Sequence, residues 1–428
     1  MPRSILTKYL QTRACRGPWE ITGCSAAGFT GAVVIPALAE SARLFAALAS
    51  LAANPTELLD RFLVLVVVNH REDAPEADKA DNYSALRRLA GNLPESARLR
   101  LAWIDAATAG RELPVKKGGV GLARKIGLDL ALSRLDLSQD KPLLVCLDAD
   151  TLVEPTYLAA ILRHFGSSAA GGAAIPFRHQ PAHTPGDQEA IDRYELFLRH
   201  YLLGLKIARS PYAFHTVGSA MACTVDAYLK SGGMNMRTAG EDFYFCQQLA
   251  RTSGFAEVTG TTVHPSPRPS HRVPFGTGRS VSRWLSGDAG AITFYQPDCF
   301  RILGSWLELA AGNPGSDAET IMTGAEQISP LLAAWLTEVN FPETWRGLRR
   351  NHPLPGRLTA AFHVWFDGLK TMKLIHHLSA HGFPRSGPEQ ALPGLLRMAG
   401  APPAAGIREQ LELLWRLEAE SAPPGLPG

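Results

Sequence analysis

The chain of 428 residues is long enough for a large α/β domain with a helical addition, and 46% of its residues are hydrophobic. Its formal net charge of +3 argues against nucleic acid as a partner of the whole protein. The six cysteines form no Cys-x-x-Cys pair, so neither a disulfide scaffold nor a zinc ribbon is expected. The sequence has no apolar run of about 18 residues and no apolar secretion signal, so we expect a cytoplasmic protein.

Apolar strand patterns alternate with helical spacing through the first part of the chain. Residues 1–28 show no clear period and are expected to form an irregular arm. Continuous apolar runs predict strands at 31–35, 62–68, 99–104 and 143–147. Apolar residues at helical spacing, or a pattern that follows a strand, predict helices at 40–53, 120–134 and 155–165. Strands that are apolar on both faces are typical of a parallel sheet covered by helices, so the predicted fold class is α/β.

The pattern changes after residue 170. A short strand is predicted at 173–176, a long helix around 188–208, and mainly helices from about residue 300 onwards. We therefore predict three parts, which are an irregular arm (1–28), an α/β domain (29–290) and a C-terminal helical region (291–428). The basic stretch at 346–352 favours a solvated helix face, although peripheral contact with an anionic membrane is the open alternative.

Asp148 and Asp150 come directly after the predicted strand at 143–147. In open sheets of this kind, ligands bind beyond the carboxyl ends of the strands. Carboxylate oxygens suit Mg²⁺ or Mn²⁺, which commonly joins protein carboxylates to substrate phosphates. The pair therefore predicts a metal site, with Asp148 addressing a ribose and Asp150 the ion. The alternative is a turn rich in Asp.

Glu241 and Asp242 open a predicted helix that follows the Gly232-Gly233 turn. Acidic residues at a helix N-terminus are stabilised by the helix dipole, which is the structural interpretation. The functional interpretation is a general base that takes a proton from an acceptor hydroxyl. We assign that role to Asp242, with Glu241 as a supporting contact to the acceptor.

The stretch between Glu257 and Asp288 contains no acidic residue but several arginines and histidines. Arginine binds phosphate oxygens in bidentate fashion. Arg272 and Arg279 are therefore predicted to contact a diphosphate, and His264 is predicted as a third metal ligand. An exposed basic loop is the alternative.

Taken in order, these segments resemble the family-2 glycosyltransferases of the GT-A type over residues 30–285. The motifs that carry the resemblance are Pro36-Ala-Leu-Ala-Glu40, Lys117-Gly-Gly-Val-Gly121-Leu-Ala-Arg124, Asp148-Ala-Asp150, Gly232-Gly233-Met234, Glu241-Asp242 and His264. The resemblance implies a transferase that takes a sugar, in the first instance a hexose, from a nucleotide diphosphate donor with the help of Mg²⁺ or Mn²⁺.

The resemblance also implies roles for single positions. Pro36, Glu40, Asp105, Lys117 and Arg124 would lie near the base, ribose or diphosphate of the donor. Gly218 and Ser219 would border the acceptor pocket.

The sequence departs from the family at two places. The second strand is followed by Asn69-His70-Arg71 rather than by acidic residues, which leaves the nucleobase open. Ser280 stands where polysaccharide-making members carry glutamine before Arg283-Trp284, which favours a single transfer per encounter.

The mechanism that these assignments favour is a direct displacement with inversion, in which Asp242 is the base. One alternative is a retaining GT-A enzyme that acts on a small phosphorylated or glycerate-type acceptor. Another, of a different class, is a non-catalytic protein that binds a nucleotide sugar. A nucleotidyltransferase is disfavoured because no Gly-rich basic loop follows the first predicted strand. The acceptor is unknown.

Overall fold

The computed structural model describes residues 3–91, 97–268, 276–288 and 290–420. The chain forms two compact units, the first from residues 1–181 and 216–276, and the second from residues 182–215 and 277–428. Residues 182–215 were predicted to lie in the α/β domain but belong to the second unit. The reason is that α7 (Pro185–Ile207) packs its apolar side against helices of the C-terminal region.

The first unit is built on an eight-stranded sheet. Its strands, in spatial order, are β1 (Ile21–Gly23), β4 (Arg100–Ala106), β3 (Phe62–Asn69), β2 (Gly31–Ala37), β5 (Leu143–Cys146), β8 (Met221–Thr224), β7 (Gly172–Ala174) and β9 (Phe255–Glu257). The pairs β2–β3, β2–β5, β3–β4 and β7–β9 are parallel, whereas β1–β4, β5–β8 and β7–β8 are antiparallel. A separate two-stranded sheet joins β6 (Leu152–Val153) to β10 (Val263–His264).

The central strands β2 and β3 were predicted well because they are buried on both faces. Every residue of β2 and of β3 is buried, as expected for strands that are covered on both faces. The predicted fold class, a mostly parallel α/β sheet flanked by helices and followed by a helical C-terminal region, is confirmed.

The helices of the first unit connect and cover these strands. They are α1 (Arg3–Thr12), α2 (Leu44–Ala52), α3 (Thr56–Leu59), α4 (Glu76–Leu89), α5 (Val120–Ala131), α6 (Tyr157–Ser167), α8 (Val225–Ser231) and α9 (Glu241–Ser253). α5 lies unusually close to the sheet, because a Cβ at Gly127 would come within 2.3 Å of Val34 and 2.9 Å of Val67.

The predicted arm of residues 1–28 is not irregular throughout, since it contains α1 and β1. Buried hydrogen bonds anchor α1 to α5. The Tyr9 hydroxyl donates to Asp129 at 2.7 Å, and Lys125 donates to the Tyr9 oxygen at 2.9 Å. β1 is the edge strand of the sheet and is held by antiparallel pairing with β4. Both anchors are tertiary contacts, so the local sequence pattern did not predict them.

The second unit is helical in its described part. Besides α7 its helices are α10 (Thr277–Leu285), α11 (Pro297–Gly312), α12 (Ala318–Ile328), α13 (Pro330–Glu338), α14 (Phe341–Asn351), α15 (Pro355–Trp365), α16 (Gly368–His381), α17 (Pro388–Met398) and α18 (Gly406–Glu420). Its core contains fully buried aromatic side chains, among them Trp306, Trp345 and Phe362. Over the described ranges, no helix combines the length and apolar character needed to cross a membrane.

Candidate functional site

The turn after β5 brings two carboxylates to the carboxyl edge of the sheet. The Leu147 N–H donates to the Val34 carbonyl at 3.1 Å, so pairing with β2 continues one residue beyond β5. The Thr151 N–H then donates to the Asp148 carbonyl at 3.1 Å and closes the turn. The side chains of Asp148 and Asp150 are 36% and 22% exposed, so both are within reach of a ligand.

Arg124, on α5, is the cation at which distant acidic segments meet. Its side chain is 3% exposed and donates to Glu241 and, at 2.5 Å, to Asp148. Such charge-assisted hydrogen bonds are short and strong compared with neutral ones. The helix, the turn after β5 and the start of α9 are therefore joined by one buried guanidinium.

Gly218 lies directly against this guanidinium. A Cβ at Gly218 would be 2.3 Å from Arg124 Nη2, so any larger residue would push the arginine away. The Gly218 N–H also hydrogen-bonds the carboxylate of Asp242. The predicted acceptor-pocket residue thus contacts both the arginine and the predicted base, and Ser219 beside it is buried.

The carboxyl groups around Arg124 differ in their charge environment. Burial raises the pKa of Glu241 to about 7, although Arg124 opposes the change. Burial also raises the pKa of Asp242, again against the effect of Arg124. For Arg124 itself burial acts downwards, but Asp148 and Glu241 outweigh it and the net pKa is raised. Within the part of the chain that the structure describes, Asp242 forms no ion pair, whereas Asp148 and Glu241 both pair with Arg124.

The loop that leads into α9 is fitted against the start of α5. A Cβ at Gly121 would come within 2.4 Å of the Arg237 carbonyl oxygen. The Asn235 side chain donates to the Glu241 carbonyl at 2.8 Å, which fixes the loop to the first turn of the helix. Gly240 has a φ of +68°, a left-handed conformation that glycine adopts without strain, and it turns the chain into α9.

Arg268 joins two carboxylates that follow different strands. Its guanidinium donates to Asp150 at 3.1 and 3.2 Å and also to Glu40. Glu40 follows β2 and is 6% exposed. The two carboxylates would repel each other without a cation between them, so Arg268 stabilises their approach.

His264 is held close to the backbone of Asp150. The Gln180 side chain donates to the carbonyls of both residues, at 2.9 Å to Asp150 and 2.6 Å to His264. The Nδ1 of His264 lies 3.0 Å from the Arg178 carbonyl, so Nδ1 carries a proton and donates it there. The Nε2 of His264 lies 3.6 Å from Glu154.

The predicted metal ligands Asp148, Asp150 and His264 are not brought together as one group of side chains. Among the residues with described positions, no three His, Cys, Asp or Glu side chains are arranged to hold a metal ion. The physical reason is that Arg124 engages Asp148 and Arg268 engages Asp150. Two carboxylates at one edge remain a suitable oxygen donor set for Mg²⁺ or Mn²⁺, which often binds through one or two carboxylates and substrate phosphates.

Asp105 and Lys117, which were predicted to contact the donor, lie in the segment that runs from β4 to the start of α5. Asp105 belongs to β4, and its Oδ1 accepts the N–H groups of Ala107 and Thr108 at 3.0 and 2.9 Å. Arg111 lies 4.0 Å from the other oxygen. Lys117 is exposed in the turn before α5. Both residues are at the carboxyl edge, but the Asp105 carboxylate is partly engaged by its own backbone.

His70 is a buried residue at this edge that was named only as part of a departure from the family's sequence pattern and was assigned no role. It follows β3, is 1% exposed, and its Nδ1 lies 3.0 Å from the Asn82 side-chain amide. That amide also donates to the Asn69 carbonyl, so its nitrogen faces His70 and the histidine proton belongs on Nε2. Burial lowers the pKa of His70, which keeps the ring neutral. The rule that ligands bind beyond the carboxyl ends of strands points to this position, because His70 directly follows β3.

The remaining predicted residues are placed differently. Pro36 is buried inside β2, opposite Val67, so it supports the sheet. Arg272 lies outside the described residues. Arg279 belongs to α10 and therefore to the second unit.

Comparison with solved structures finds several similar chains. Residues 1–349 of TarS from S. aureus, in complex with UDP-GlcNAc, match with 12% identity and a TM-score of 0.38, over 75% of this chain and 91% of that one. The mannosyltransferase PcManGT from Pyrobaculum calidifontis, in complex with GDP-Man and Mn²⁺, matches with 14% identity and a TM-score of 0.36, over 97% and 92%. M. tuberculosis glucosyl-3-phosphoglycerate synthase matches with 14% identity and a TM-score of 0.33, over 69% and 89%.

Two of these structures hold a nucleotide sugar, which is UDP-GlcNAc in TarS and GDP-Man in PcManGT. No protein-family model matches the chain, and no curated protein matches it.

Proposed function

We propose that the chain is a glycosyltransferase that moves a sugar, in the first instance a hexose, from a nucleotide diphosphate donor to an acceptor hydroxyl. The observation that carries this proposal is the meeting of Asp148 and Glu241 on the guanidinium of Arg124, with Asp242 beside them. Transfer from a diphosphate needs positive charge for the leaving group and a carboxylate for the acceptor proton. Both kinds of group stand at the carboxyl edge of the sheet.

Asp242 is the proposed general base. Glu241 and Asp148 both pair with Arg124, whereas Asp242 forms no ion pair among the described residues. Burial raises the pKa of Asp242, which makes its ionised form a better proton acceptor. In the proposed reaction the acceptor oxygen attacks the anomeric carbon, its proton passes to Asp242, and the diphosphate leaves with inversion. Glu241 keeps Arg124 in place, so its role is to position the cluster.

The donor is proposed to bind along the ends of β2, β4 and β5. Arg268 and Lys117 supply positive charge, and Asp105 and Glu40 are the carboxylates near the base and ribose. Mg²⁺ or Mn²⁺ is proposed to bind Asp148 and Asp150, because two carboxylate side chains fit an ion that completes its shell with phosphates and water. When bound, the ion supplies neutralisation of the diphosphate charge.

A donor screen followed by a turnover assay tests the function. Donor binding to the native state raises the melting temperature, so UDP- and GDP-sugars are compared with and without Mn²⁺. The chosen donor is then followed for sugar release or transfer in the wild type and in Asp242→Asn. We expect retained donor binding with turnover lowered about a hundredfold or more. Full turnover of Asp242→Asn would exclude Asp242 as the base.

The matched control is Asp226→Asn, which removes a half-exposed carboxylate on α8 that pairs with Lys230. Its turnover should equal that of the wild type. The anomeric configuration of the product, read by NMR, separates inversion from the retaining alternative. Donor binding without any turnover, including hydrolysis, would favour the non-catalytic alternative.

A further inference from the structure

Arg237 is an exposed arginine that is nevertheless held in one orientation. Its guanidinium carbon lies 3.7 Å from the centroid of the Tyr244 ring, so it stacks on the aromatic face. Its backbone is fixed as well, because the Arg237 carbonyl oxygen packs against Gly121 at the start of α5. Stacking uses the face of the guanidinium and leaves its N–H edge available for a ligand.

Positive charge is concentrated around this arginine. Lys116 and Lys117 are both exposed and come just before Gly119, whose Cβ position would be 2.8 Å from the Thr238 Cα. The segment that carries the lysines therefore adjoins the segment that carries Arg237. In the described ranges no carboxylate forms an ion pair with Arg237. The nearby Glu241 is buried and pairs with Arg124 instead.

We propose that Arg237, with Lys116 beside it, forms an oxyanion site that binds a phosphate or carboxylate group of the acceptor. The proposal rests on the proposed function, because it assigns an acceptor class to the same site. The loop that holds Arg237 continues directly into Glu241 and Asp242, so an anion bound there is near the group that takes the acceptor proton. Arg237 would then select acceptors that carry negative charge.

Binding of inorganic phosphate to the full chain tests the site without a known acceptor. Phosphate is titrated by calorimetry in the absence and in the presence of saturating UDP or GDP, which occupies the donor's diphosphate position. We expect binding that persists with the nucleotide present. Binding that the nucleotide abolishes would assign the phosphate to the donor position and overturn the proposal, as would a wild type that binds no phosphate.

Variants then locate the bound phosphate. Arg237→Ala should raise the Kd for phosphate about tenfold, because a charge-assisted bidentate contact is lost. Tyr244→Leu should raise it about threefold through loss of stacking, and Tyr244→Phe should leave it unchanged. Arg163→Ala is the control, since Arg163 is an exposed arginine on α6. Equal phosphate affinity in Arg237→Ala and wild type would overturn the proposal.

Matched acceptors connect the site to transfer. Glycerol 3-phosphate and glycerol, or glucose 6-phosphate and glucose, are compared with the donor found in the screen. We expect the phosphorylated member to have the larger kcat/KM in the wild type, with the preference reduced about tenfold in Arg237→Ala and partly restored in Arg237→Lys. Donor binding should be unchanged in Arg237→Ala. If no nucleotide sugar binds to the wild type, the proposed function is rejected. Phosphate binding at Arg237 is measured without a donor, so that result stands separately.

Discussion

Arg268 donates two hydrogen bonds to Asp150, at 3.1 and 3.2 Å, although the two residues are separated by 118 positions. The same guanidinium bonds to Glu40. The guanidinium of Arg268 therefore occupies the carboxylate of Asp150, which was predicted to bind a metal ion. A divalent ion that binds Asp150 has to compete with Arg268.

Arg268→Met should consequently strengthen the binding of Mn²⁺ in the absence of a donor. Removal of a charge-assisted contact worth about 1.5–3 kcal/mol corresponds to a gain in affinity of about ten- to a hundredfold. Mn²⁺ binding is measured by the loss of the free-ion signal in electron paramagnetic resonance. Arg100→Met is the matched control, because Arg100 pairs with Asp60 at 2.7 Å on the surface. Unchanged Mn²⁺ affinity in Arg268→Met would mean that Arg268 does not compete with the ion.

Arg124→Met should destabilise the protein strongly. It leaves Glu241 buried without its cation and removes the partner of Asp148, and loss of one member of a buried pair costs about 3–5 kcal/mol. The free energy of unfolding is measured by urea denaturation. Arg100→Met, which breaks an exposed pair, should cost less than about 1 kcal/mol. Equal losses in the two variants would contradict the buried role of Arg124.

The rate of transfer should depend on pH through the buried carboxyl pair. The base has to be ionised, so the rate rises as pH rises through its pKa in the folded protein. Burial raises the pKa of Asp242 and brings that of Glu241 to about 7, and the two neighbouring carboxyls titrate together. The acid limb of kcat/KM should therefore lie above the range near pH 4 that is usual for aspartate.

Glu241→Gln should move this acid limb to lower pH, because it removes a neighbouring negative charge and frees Arg124 to act on Asp242. Asp226→Asn, at a half-exposed position, should leave the limb unchanged. A limb near pH 4 in the wild type would contradict the raised pKa of the buried carboxyl pair.

The sequence predicted the elements whose evidence is local. β2 and β3 are buried at every residue, so their apolar runs were unambiguous. α4 was not predicted, because only Asn82, Ala85 and Leu89 of its fourteen residues are buried and no apolar stripe marks the helix. Buried Asn82 acts through hydrogen bonds, including one from the Ala39 N–H at 2.9 Å.

The candidate site was predicted as a set of strand ends, but its pairings were not. The bond between Arg268 and Glu40 joins residues 228 positions apart, and the ion pair between Arg124 and Glu241 joins residues 117 positions apart. A single sequence contains no signal for such pairs. The strand-end rule gave the positions of the carboxylates, whereas the choice of arginine for each depends on how the helices and loops pack.

Tyr9→Phe should lower the free energy of unfolding by about 1–3 kcal/mol, because it removes one hydrogen bond from each of two buried charged groups, Lys125 and Asp129. The Tyr9 hydroxyl joins Lys125 to Asp129, and all three residues are at most 6% exposed. Tyr228 donates to the same Asp129 oxygen at 2.7 Å, so Tyr228→Phe should have a similar effect. The two losses should not add in the double variant, because the residues share one carboxylate. Strict additivity in urea denaturation would mean that the two hydroxyls act independently.

Gly218→Ala should lower turnover about ten- to a hundredfold, because small displacements of catalytic groups have effects of that size. The added Cβ would be 2.3 Å from Arg124 Nη2, so the guanidinium has to move away from Asp148 and Glu241. Gly166→Ala on α6 is the matched control, since no atom lies within 4 Å of its Cβ position. Alanine favours a helix over glycine, so the control should be as active and slightly more stable than the wild type. Wild-type turnover in Gly218→Ala would show that the position of Arg124 does not control the reaction, and Arg124 would then be a structural ion-pair residue only.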